Sequence, residues 1–118
     1  MSADRSRSGW SDADIRLALE QIKTGSDAAL LELASPALRS IRDDSGLLFS
    51  GTSSEKDNGV INWIVRATRD LAAAIDSDAI EVAAILATWL VQHYTHLSMP
   101  LDQIAAVALL VAKRRRNG

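Results

Sequence analysis

The chain has 118 residues, a formal net charge of −2 and no cysteine. That length suits one domain, and the missing cysteines exclude disulfides, thiolate zinc sites and cysteine nucleophiles. The segment Met1–Gly9 carries Arg5 and Arg7 with no apolar run behind them, and no stretch reaches the roughly 18 apolar residues of a membrane span.

Residues 1–10 read as a polar, flexible N-terminal segment, and residues 11–116 as one helical domain. Ser11 is an N-cap for a first helix over Asp12–Thr24, with Asp12 and Asp14 at its positive end and Ile15, Leu19 and Ile22 on its apolar side. Gly25 stops it. Ser26 or Asp27 caps a second apolar segment, which Ser35-Pro36 is expected to break or kink, because proline has no N–H to donate and disfavours helix before it. The stretch from about 43 to 58 is dense in Ser, Gly, Asp and Thr and reads as a long loop. Leu47, Leu48 and Phe49 inside it either tuck against the core or dock on a partner.

Ile61, Ile64, Val65, Thr68, Leu71, Ala72 and Ile75 recur at helical spacing, which predicts a third helix from Asn58 or Gly59 to Asp76. Ser77 is the expected cap of the fourth. The short link between them predicts an αα-hairpin. The fourth helix has a bulky face (Val82, Ile85, Leu86, Trp89, Leu90) and a small face (Ala83, Ala84, Ala87, Thr88, Val91). A helix apolar on all sides is central in its domain or buried by an oligomer, and Ala83, Ala87 and Val91 are the candidate residues for meeting a partner chain. A fifth helix over Pro100–Arg115 buries Leu101, Ile104, Val107, Ala108, Leu110 and Val111. The expected fold is an all-α, single-domain bundle of about five helices, with an up-down-up three-helix C-terminal core.

Chemistry is thinly signalled. His93 and His96 lie three residues apart and could reach one metal, but no third ligand is close in sequence, although Asp102 could fold near, and imidazoles also suit a helix C-terminus. No Gly-x-Ser-x-Gly elbow and no phosphate-cradling glycine loop occurs. The paired acids Asp43, Asp44, Asp76 and Asp78 fit helix caps better than catalysis. No cofactor and no catalytic residue is expected.

No lysine or arginine lies between Asp70 and Ala112, and then Lys113, Arg114, Arg115 and Arg116 come together. This cluster closes a helix or, with Arg66 and Arg69, touches phosphate or an acidic partner. Trp63, at the edge of the third helix's stripe, covers the core rim or anchors a partner. These features point to a non-catalytic protein–protein interaction module in the cytoplasm, working with a protein partner or as a homo-oligomer. The alternative is a nucleic-acid-associated helical subunit using the basic tail.

Overall fold

The computed structural model describes residues 10–71 and 78–117, and among them five α-helices: α1 (Asp12–Ile22), α2 (Asp27–Ser45), α3 (Ser53–Ala67), α4 (Ala79–His93) and α5 (Leu101–Asn117). The chain is an all-α globule, with no strand among the described residues. The expected flexible segment before Trp10, and Ala72, Ile75, Asp76 and Ser77, lie outside the described residues.

Four helices start on a side-chain oxygen that accepts an otherwise orphaned N–H. Ser11 Oγ accepts from the Asp14 N–H at 3.2 Å, and the Asp14 carboxylate accepts from the Ser11 N–H at 3.1 Å, a reciprocal capping box. Ser26 does the same for Ala29 at 3.1 Å. Thr52 and Glu55 form a second capping box, five or six residues earlier than the expected start of the third helix. At α4 the cap is Asp78, which accepts from the Glu81 N–H at 3.0 Å, rather than Ser77.

The expected break at Ser35-Pro36 does not occur. α2 runs through Pro36 to Ser45. Pro36 removes the donor for the Glu32 carbonyl, and both residues lie on the exposed side of α2, where water can take the place of the lost N–H. α2 ends at Gly46, at φ 71°, where the Gly46 N–H reaches the Asp43 carbonyl and the Leu47 N–H reaches that of Arg42. This is a Schellman stop, and an L side chain in that backbone conformation costs about 1–2 kcal/mol. The irregular stretch therefore shrinks from 43–58 to 46–52. Gly59 does not open α3. It lies within the helix, where a Cβ would sit 3.0 Å from the Phe49 ring, so the bare backbone is the seat for that ring.

α5 is the central helix. It packs on α4, α2, α1 and α3, and every residue from Ile104 to Ala112 is at most 8% exposed. Ala105, Ala106, Ala108 and Ala112 let neighbouring helices approach closely on several sides. α3 packs on α5 and α2 rather than mainly on α4, so the expected hairpin of the third and fourth helices is replaced by docking of both onto α5. α4 packs on α5 and α1, which bury its small-residue face and leave Ile85 and Trp89 of its bulky face half-buried.

Candidate functional site

The small-residue face of α4 is not a surface. Ala83 and Ala87 are fully buried and Val91 is 9% exposed, because the chain's own helices cover them. This corrects the expectation that they meet a partner. The apolar residues left at the surface lie elsewhere. Ile85 and Trp89 are half-buried, Leu71 is 41% exposed, and together with Ala84 and Thr88 they line an open groove of about 220 Å³. Asp12, Arg16 and Gln92 form its polar rim. The Trp89 ring stacks on His93 at 4.5 Å between centroids and 10° between planes. Trp89 thus rims the core rather than sitting inside it.

Arg16 ties α1 to α4 at this rim. Its guanidinium donates to both carboxylate oxygens of Glu81 and to Asp12 at 2.7 Å. The hydrogen bonds and charge of Arg16 hold the Glu81 carboxyl below its ordinary pKa. A carboxyl whose pKa is lowered by folding contributes stability above its unfolded pKa and loses it as pH falls through the folded value. Glu81→Gln is therefore expected to lower the melting temperature at neutral pH and to converge on the native chain as pH falls from about 5 to about 3, which flattens the acid limb of a thermal-unfolding series. An identical acid limb in both proteins would show that the pair contributes nothing.

The loop apolar residues separate. Phe49 packs on Gly59, Leu47 is half-buried beside the α2 stop, and Leu48 is 94% exposed. Trp63 is half-buried at the core rim. A second open groove of about 410 Å³ lies at the α4–α5 turn between Trp10, Tyr94, Met99 and Ile104. The buried Tyr94 hydroxyl pairs with Ser45 Oγ at 3.3 Å, and burial pushes its phenol above the ordinary value.

The two histidines do not converge. His93 lies on Trp89, while His96 Nε2 contacts Asp44 Oδ1 at 2.7 Å and fastens the α4–α5 turn to the end of α2. Among the described residues no group of three or more His, Asp or Glu side chains is placed to hold a metal ion. No histidine there hydrogen-bonds to a serine or threonine hydroxyl. Serines 11 and 26 cap helices, Ser35 donates to Asp57 Oδ2 at 2.7 Å, and Ser45 meets Tyr94.

The basic cluster reaches back across the fold. Lys113 pairs with Asp27 at 3.0 Å. Arg114 donates to Asn58 Oδ1 at 3.0 Å and to Asn62 Oδ1. Arg115 donates to the Val65 carbonyl at 3.1 Å and the Arg69 carbonyl at 2.9 Å, closing the C-terminal end of α3. Arg66 and Arg69 are exposed beside it. The two arginine groups that are far apart in sequence therefore share one corner.

Sequence reasoning missed Asn58 and Asn62. Their i, i+4 spacing, continued by Val65 and Arg69, was the available signal for a polar edge facing a neighbour. It also missed the Ser35–Asp57 pair, since Ser35 was expected at a helix boundary and lies inside one. No family model matches the chain, and no curated protein or solved structure matches it either.

Proposed function

We propose that this chain is a non-catalytic helical protein–protein interaction module, an adaptor, regulator or small structural subunit of a larger assembly. The observation that carries the reading is the strip of Leu71, Ile85 and Trp89. Leu71 is 41% exposed and shares one open groove with the half-buried Ile85 and Trp89, whereas Leu17, 61% exposed on α1, and Leu48, 94% exposed, stand outside that groove. A half-exposed tryptophan flanked by aliphatic side chains and rimmed by an arginine has the composition of a protein-binding hot spot. Ser35, Asp57, Asp78, Asp44 and His96 are engaged in caps and helix–helix ties, which supports a non-catalytic role. A cysteine-free chain fits a reducing compartment, and the cytoplasm is its proposed location.

Sedimentation velocity and co-purification from the native source test the reading. The native chain is expected to self-associate or to retain a protein partner. Thr88→Arg, which places a charge in the middle of the strip without removing core volume, is expected to abolish that association while leaving helicity unchanged. A monomer at all concentrations that retains no protein would overturn the reading, as would association that Thr88→Arg leaves intact.

A further inference from the structure

We propose that the corner formed by the ends of α3 and α5 binds single-stranded nucleic acid, with phosphates on its arginines and a base on Trp63. The corner uses none of the residues that line the α4 strip, so either assignment can fail alone.

The first observation is the chemistry of the acceptors. Arg114 and Arg115 are held in place, yet every oxygen they are seen to bond is neutral: two asparagine amides and two backbone carbonyls. Such bonds orient a guanidinium without cancelling its charge. The C-terminal dipole of α3 offsets about half a charge at most. Lys113, by contrast, is neutralised by Asp27 and is left out of the site.

The second observation is local charge. Arg66 and Arg69 are exposed and form no ion pair among the described residues. Asp70 is the sole acid between Asn58 and Leu71, and Gln103–Asn117 contains none. The chain as a whole is weakly acidic. At physiological salt, however, charges more than about 8 Å away are largely screened, so an approaching strand senses the corner rather than the total. The Arg115 guanidinium donates to the Arg69 backbone carbonyl, and Arg66, in the last turn of α3, lies three residues before Arg69, which sits in the turn that follows the helix.

The third observation selects the partner. Trp63 lies one turn before Arg66, half-buried, so an aromatic edge adjoins the basic strip. A single strand can splay a base onto such a ring while its backbone follows the guanidinium groups. An acidic polypeptide would use the arginines and have no need of the ring.

Fluorescence anisotropy with a labelled oligo-dT of about 16 nucleotides tests the assignment on the full chain. Binding is expected at ~50 mM salt, with a log–log salt slope of about −2 to −3, the value for three or four neutralised phosphates on a single strand. Arg66→Ala with Arg69→Ala is expected to weaken binding about tenfold and to make the slope shallower. Both side chains are exposed, so circular dichroism should be unchanged. Quenching of tryptophan fluorescence on binding is expected in the native chain and is expected to shrink in Trp63→Phe. Absence of binding at low salt would overturn the proposal. So would displacement of the oligonucleotide by polyglutamate as effectively as by unlabelled oligo-dT, which would assign the corner to an acidic protein.

Discussion

Leu109→Ala is expected to lower the stability of the folded chain by about 2–5 kcal/mol, a large part of the ~5–15 kcal/mol of a domain this size. Leu109 is 1% exposed at the centre of α5, the helix on which all four others pack. Its truncation loses apolar burial and leaves a cavity that four surrounding helices cannot all close at once. Urea unfolding followed by circular dichroism should show a lower midpoint with a similar slope. Leu48→Ala is the matched control. Leu48 is 94% exposed, so the same chemical change there should stay within about 0.5 kcal/mol. Equal effects at the two sites would mean that α5 is not the packing centre.

Ser35→Ala should cost about 1.5–3 kcal/mol, far more than an ordinary serine-to-alanine change inside a helix, where alanine is the better former. The Ser35 hydroxyl donates to Asp57, whose side chain lies between α2 and α3 and is 7% exposed overall. Removing the donor leaves a buried carboxylate without its partner, and that penalty exceeds the worth of the bond itself. Asp57→Ala alone should also destabilise. The double variant should cost clearly less than the sum of the two, because the second change removes the group that the first stranded. Additive costs would show that the two side chains do not act as a pair.

The helices themselves were legible because the signals that start and stop them are local. Ser11 and Ser26 cap where their sequence context places them, and the 3.6-residue recurrence of Ile61, Ile64 and Val65 finds α3. The errors were local signals read without their surroundings. Ser35-Pro36 carries the features of a helix boundary, but Glu32 and Pro36 lie on the exposed side of α2, which makes proline tolerable there. The polar run after Asp43 resembles a loop. Its Asp-Asp-Ser segment completes α2, and its Thr52–Glu55 spacing opens α3.

The candidate surfaces were less legible, since burial is decided by residues distant in sequence. Ala83 and Ala87 have the same small side chains whether they face α1 and α5 or a foreign helix, and their number alone cannot say which. The basic tail is the sharpest case. Its composition predicts positive charge at a helix end, and that holds. Only the fold shows that Arg115 reaches Val65 and that Arg114 reaches Asn58, contacts about 50 residues apart along the chain.

By itself, then, the sequence determined an all-helical chain and the approximate place of its five helices, because hydrogen bonding to i−4 and the recurrence of apolar side chains are properties of neighbouring residues. The tertiary structure alone decided that α5 is the centre, that α1 covers the second face of α4, and that two separate arginine groups meet at one corner. Those outcomes depend on which apolar faces find each other when all five helices compete for a single core.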